Sequence, residues 1–93
     1  MAGPQSTKNV DFMTPAQCRA ARALLDMTQS KLADAAQLGL STVVDFEKER
    51  RQVSESAVQA MQQALEAAGI EFFPENGGGE GLRFRRRRVQ KRK

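Results

Sequence analysis

Apolar residues recur at helical spacing along most of the chain. Cys18, Ala21, Leu24 and Leu25 share one face of a helical wheel, while Arg19, Arg22 and Asp26 share the opposite one. Thr14 is a good N-cap and Pro15 suits the first helical position, so the first helix is predicted over 15–26. Thr28 caps a second, short helix over 29–36, with Leu32, Ala33 and Ala36 facing in and Lys31 and Asp34 facing out. Gly39 precedes a third helix over 40–49, whose inward residues are Val43 and Phe46. Ser54 caps a fourth, in which Ala57, Val58, Met61, Ala64, Leu65 and Ala68 form the apolar stripe, and Gly69 is placed to stop it.

After Gly69 the period changes. Ile70-Glu71-Phe72-Phe73 and Leu82-Arg83-Phe84-Arg85 are strand-like and flank a turn-rich Pro74-Glu75-Asn76-Gly77-Gly78-Gly79-Glu80-Gly81. The pattern predicts a β-hairpin with Ile70, Phe72, Leu82 and Phe84 on one face. A lone hairpin is marginal in water, so this face must pack on the helices or pair with a second copy. The expectation taken forward is that these four residues form a dimer interface, with a strand edge free for addition. The expected organisation is a disordered N-terminal arm over 1–13, a helical domain over 14–69, a hairpin over 70–85 and a disordered basic tail over 86–93. Met13, just before the first cap, is a candidate translation start.

The 93 residues make one domain, which buries only roughly 60% of its unfolded surface. The single cysteine excludes an intramolecular disulfide, as expected of a protein in a reducing compartment. No apolar run reaches the ~18 residues of a membrane span, and the first residues lack a signal-peptide core. The expected location is the cytoplasm or nucleoid of a bacterial-type cell, away from membranes. The net charge of +4 is unevenly placed: zero over residues 1–13, −1 over 14–69 and +5 over 70–93. The basic character therefore belongs to the C-terminal segment and not to the helical domain. Three roles fit residues 86–93: a non-specific clamp on DNA phosphates, a contact for an acidic protein, or a solubilising end.

Catalytic chemistry finds no constellation here. Histidine is absent, the one cysteine lies on an apolar face, and no acid, thiol or imidazole spacing suits a metal. Gly77-Gly78-Gly79 sits in a hairpin turn, the wrong context for a phosphate loop. Neither an enzyme nor a metal or other cofactor is expected.

Two short helices joined by a tight turn need a small residue where they cross and apolar anchors on both sides. Ala33 supplies the first, and Leu32, Leu38 and Val43 the second; an ordinary helical hairpin is the competing reading. Gln29-Ser30-Lys31-Leu32-Ala33, Leu38, Ser41-Thr42-Val43 and Phe46-Glu47, with Arg22 and Thr28 upstream and Ala67-Ala68-Gly69-Ile70 downstream, resemble the lambda-repressor-like, Xre-family helix-turn-helix. The likeness covers about 14–85. It departs at Gln37, where the family usually has glycine, and at Gly39, where the usual cap is serine or threonine.

The resemblance implies a mainly α fold: four helices with a C-terminal β-hairpin. It also implies a sequence-specific DNA-binding transcriptional regulator, a repressor acting as a homodimer on a palindromic operator. Helix three would enter the major groove of double-stranded DNA. Gln29, Leu40, Ser41, Val44 and Asp45 would face bases, and Arg22, Thr28, Lys48, Arg50 and Arg51 would hold phosphates. Leu40 could pack on a thymine methyl, and Asp45 either accepts from a cytosine amine or acts as a brake near phosphates. Glu47 is expected in a structural ion pair or cap, and Cys18 in the core. The alternative is a protein-binding antagonist or antiactivator on the same scaffold, with a protein partner at the apolar surface around Leu40, Val44 and Phe46. RNA binding by the arginine tail is a third reading.

Overall fold

A computed structural model describes residues 12–73 and 81–84. Its elements run α1 (Pro15–Leu25), α2 (Gln29–Ala36), α3 (Leu40–Glu47), α4 (Glu55–Ala67), β1 (Ile70–Phe73) and β2 (Gly81–Phe84). The fold is mainly α, four helices with a short antiparallel hairpin at the C-terminal side, as the sequence pattern implies.

The caps explain where the helices begin. Thr14 and Gln17 form a reciprocal box at the start of α1. The Gln17 N–H donates to Thr14 Oγ1 at 3.1 Å, and the Thr14 N–H donates to Gln17 Oε1 at 2.9 Å. Thr28 Oγ1 accepts from the Lys31 N–H at 3.0 Å, and Ser54 Oγ from the Ala57 N–H at 3.2 Å. Gly39 caps α3 with no side-chain bond.

The helix ends explain the differences from the expected boundaries. α1 stops at Leu25 because Asp26 turns left-handed at φ 58°, and the Met27 N–H reaches back to the Arg22 carbonyl. α3 stops at Glu47, two residues before the expected end. Glu49 is left-handed at φ 55°, the Arg50 N–H donates to the Asp45 carbonyl at 2.9 Å, and the Glu49 N–H donates to that of Phe46 at 3.1 Å. That is a Schellman closure without its usual glycine. Gln37, the position where glycine is usual, closes α2 at φ 60°.

One core joins all these elements. Leu32 and Ala33 of α2 sit at its centre, packed on Val43 and Phe46 of α3 and on Val58, Met61 and Leu65 of α4. Cys18 and Ala21 close it from α1, and Ile70 from β1. Leu24, expected inside, is 45% exposed. At about 100° per residue it lies roughly 60° beyond Ala21, at the margin of the stripe, while Leu25 falls within about 20° of Cys18. Ala68, also expected on a buried stripe, is exposed beyond the last turn of α4.

Two further expectations are corrected. Residue 13 does not belong to a disordered arm. Met13 is buried, its N–H donates to Gln62 Oε1 of α4 at 3.1 Å, and Phe12 packs beside it on the core. Residues 1–11 of the expected arm lie outside the described residues, as do the hairpin turn (74–80) and residues 85–93.

The second correction concerns the hairpin. Its register pairs Ile70 with Phe84 and Phe72 with Leu82, so the four apolar residues share a face as expected. That face lies on the chain's own helices. Ile70 is fully buried, and Phe72 and Leu82 pack against the core. Phe72 and Leu82 remain half-buried, and Phe84 is 47% exposed. Of the four residues expected at a dimer interface, Ile70 is thus taken up by the chain's own core, and α1 and α4 cover part of the apolar face. Gln17 fastens it, its amide N–H groups donating to the carbonyls of Phe73 (3.1 Å) and Gly81 (2.9 Å). On the outer face Arg83 pairs with Glu71 at 3.1 Å and stacks 4.7 Å from the Phe73 ring centroid.

Candidate nucleic-acid interface

The turn between α2 and α3 is built from the residues the spacing singled out. Ala33 is buried at the crossing, where a larger side chain would push the helices apart. Leu38, whose N–H donates to the Ala33 carbonyl at 2.9 Å, packs on the core from within the turn. This fixes the angle at which α3 leaves α2 and presents its outer face.

Residues four apart share a side of a helix, so Leu40 lies beside Val44 and Ser41 beside Asp45 on the outer part of α3. Leu40 is 47% exposed, Ser41 is exposed, and Val44 and Asp45 are half-buried. The structure thus brings four of the five expected base-facing residues together. Thr28 is exposed, and its hydroxyl proton remains able to donate after the oxygen has accepted from Lys31. Lys48 is exposed at the end of α3 and pairs with no carboxylate among the described residues.

Glu47 holds the arrangement from behind. Its side chain is only 1% exposed. Arg22 Nε donates to Oε2 and Arg22 Nη2 to Oε1, both at 2.7 Å, a two-bond fork between α1 and α3. Gln29 Nε2 donates to Oε1 at 3.0 Å, and the Cys18 thiol donates to Oε2 at 3.1 Å. Arg19 donates to the Glu47 main-chain carbonyl, and Arg22 Nη1 to that of Met27 at 3.0 Å. One carboxylate therefore ties together α1, α2 and α3.

The electrostatics follow from that geometry. Burial pushes the Glu47 carboxyl up, but the hydrogen bonds from Arg22, Cys18 and Gln29 and the Arg22 charge outweigh it and leave it below its ordinary value. The same hydrogen bond raises Arg22, against burial. Burial, then the bond to Glu47 and its charge, push the Cys18 thiol up, so it is a core group and not a nucleophile.

Two of the expected DNA-contacting residues are engaged inside the protein. Arg22, expected on phosphate, has its charge matched by Glu47 and three N–H groups engaged inside the protein. Gln29, expected on a base, gives an amide N–H to Glu47, which fixes its side chain at the start of α2. Arg50 and Arg51 both turn toward Asp45, Arg51 Nε to Oδ2 at 2.8 Å and Arg50 Nη1 to Oδ1 at 3.7 Å. Sequence reasoning missed the double duty of Gln17, although Thr14-Pro15-Ala16-Gln17 carries the capping-box spacing that signals half of it. It placed Glu47 in an ion pair without a partner. The usable signal was its position four residues after Val43, on the inward face.

Among the described residues no cluster of His, Cys, Asp or Glu could hold a metal ion, and no helix is long and apolar enough to cross a membrane. A family model for helix-turn-helix domains (HTH_3) matches residues 19–71, more than half of the chain. No curated protein matches it. The matched segment begins at Arg19 of α1, runs through both helices of the turn and the Glu47 anchor, and ends in β1. The chain belongs to the lambda-repressor-like, Xre-type helix-turn-helix family of DNA-binding regulators.

Proposed function

We propose that this protein is a sequence-specific transcriptional repressor that binds a palindromic operator as a homodimer in the cytoplasm or nucleoid of a bacterial cell. The observation that carries the reading is the outer face of α3. Leu40, Ser41, Val44 and Asp45 stand together on a helix whose departure from α2 is fixed by Ala33, Leu38 and Glu47. In the major groove, Leu40 and Val44 pack on thymine methyls and the Ser41 hydroxyl bonds to a base edge. Thr28 and Lys48, at opposite ends of the two helices, hold phosphates and set the register. Gln29 reaches DNA with the part of its amide that Glu47 leaves open.

The dimer follows from size, because one module of this kind buries too little surface for high specificity. Two copies read half-sites about one helical turn apart, roughly 34 Å. Residues 86–93, with six basic side chains, add sequence-independent affinity through counterion release.

Selection of duplexes from a random-sequence pool, followed by footprinting, tests the reading. The expected result is an enriched inverted repeat whose binding Leu40→Ala weakens, while binding to random duplex is unchanged. A second reading, a protein-binding antagonist, is favoured by the exposure of Leu40 and by the matching of the Asp45 charge within the chain. No enrichment from the pool, with a protein partner lost on Leu40→Ala, would replace the first reading with the second.

A further inference from the structure

The carboxylate on the outer part of α3 and the two arginines that follow it form one unit. Asp45 belongs to the last turn of α3, yet Arg50 and Arg51 reach it because the chain reverses at Glu49. The left-handed turn there brings the Arg50 N–H back onto the Asp45 carbonyl. The Arg51 Nε–Asp45 Oδ2 bond is short, 2.8 Å, and the Arg50 contact is looser at 3.7 Å. Both arginine side chains are more than half exposed, while Asp45 is less than one-fifth exposed. A guanidinium grips a carboxylate and a phosphate with the same planar fork. Exposed pairs of this kind are weak, so they exchange readily for another anion.

Resting on the reading that α3 enters the major groove, we propose that Asp45 is a positioning residue that sets DNA specificity through Arg50 and Arg51. It occupies their guanidinium groups in the free protein as an internal stand-in for phosphate. The arginines transfer to the DNA backbone only by leaving the carboxylate behind. On a site offering Asp45 a cytosine N4 amine, the carboxylate gains a new partner and the exchange is favourable. On other sequences it is left facing the groove without one, and the arginines stay where they are. The device lowers affinity for random DNA more than for the operator, and specificity is that difference.

The exchange leaves a mark in the salt dependence. Each phosphate neutralised releases about 0.9 of a counterion. Arginines held by Asp45 neutralise no phosphate and release none, so freeing them steepens the salt dependence.

The test is a double-mutant cycle on the full chain: Asp45→Asn, Arg50→Gln/Arg51→Gln, and the combined variant. Each is titrated with a random-sequence duplex and with the duplex enriched by selection, over a range of salt. Asp45→Asn is expected to tighten random-duplex binding about three- to tenfold, from removal of one to two weak pairs. It should tighten the selected duplex less, and steepen the salt slope on the random duplex by about one to two, for one or two arginines newly placed on phosphate. In the Arg50→Gln/Arg51→Gln background the same change should have much less effect. Equal effects with and without the arginines would overturn the proposal, because Asp45 would then act by direct repulsion alone. So would an unchanged ratio of selected to random affinity. If the unaltered chain binds no duplex, the reading of α3 fails first, a result distinct from a cycle that is merely additive.

Discussion

Replacing Glu47 tests whether the buried carboxylate organises the three N-terminal helices. Glu47→Ala leaves the Arg22 charge with one remaining acceptor, the Met27 carbonyl, and leaves the Gln29 amide and the Cys18 thiol without their bonds. Removing one member of a buried pair costs about 3–5 kcal/mol. Arg22 is 19% exposed, so water relieves part of that cost, and we expect about 3 kcal/mol. A domain of this size has a total stability of about 5–14 kcal/mol, so this is a large fraction of it. At roughly 4–8 °C per kcal/mol, the melting temperature should fall by about 12–24 °C.

Urea and thermal unfolding followed by circular dichroism measure it, with the paired replacement Arg22→Met/Glu47→Leu as control. That pair removes both charges together and should cost well under the sum of the single changes. The acid limb supplies an independent check. The folded Glu47 carboxyl titrates below its ordinary value of 4.5, so its contribution is complete above the unfolded pKa and is lost as pH falls through the folded one. Glu47→Gln should remove that part of the acid sensitivity. A loss under about 1 kcal/mol on Glu47→Ala, or additive single and double changes, would refute the assignment of Glu47 as the hub.

Three further outcomes are expected. Gln37→Gly and Glu49→Gly should each raise stability by about 0.5–1 kcal/mol in denaturant titrations. Relief of a left-handed conformation worth about 1–2 kcal/mol outweighs the greater freedom of glycine in the unfolded chain. Phe84→Glu should leave thermal stability within about 1 kcal/mol, whereas Ile70→Ala should cost about 2–5 kcal/mol, because only the second opens the core. Gln17→Ala should cost about 2–3 kcal/mol, from the lost Thr14 N–H bond of the capping box and the two bonds to the hairpin carbonyls. Amide exchange in the hairpin should then accelerate ahead of exchange in α4.

What could be read from the sequence and what could not divide along a physical line. The helices announce themselves locally: Thr14, Thr28 and Ser54 cap them, and Leu32, Val43, Met61 and Leu65 recur at the helical period, so the fold follows from near neighbours. Leu40, Ser41, Val44 and Asp45 are placed by the same spacing, since a helix carries its outer face wherever its inner one is buried. The partners of Arg22, Gln29 and Glu47 are different in kind. They meet across 18 or 25 residues of chain, and no period within one helix says which charge faces which. The hairpin shows the same limit. Alternation showed correctly that Ile70, Phe72, Leu82 and Phe84 share a face, but not what covers it. The answer rests with Gln17, a polar residue 56 and 64 positions away from the carbonyls it binds. A side chain that serves a local cap and a distant strand pair at once gives only the local half of its role away. The surface proposed to meet DNA therefore depends on contacts that local pattern does not encode: Glu47 ties α3 to α1 and α2, and Asp45 pairs with Arg50 and Arg51 across the left-handed turn at Glu49.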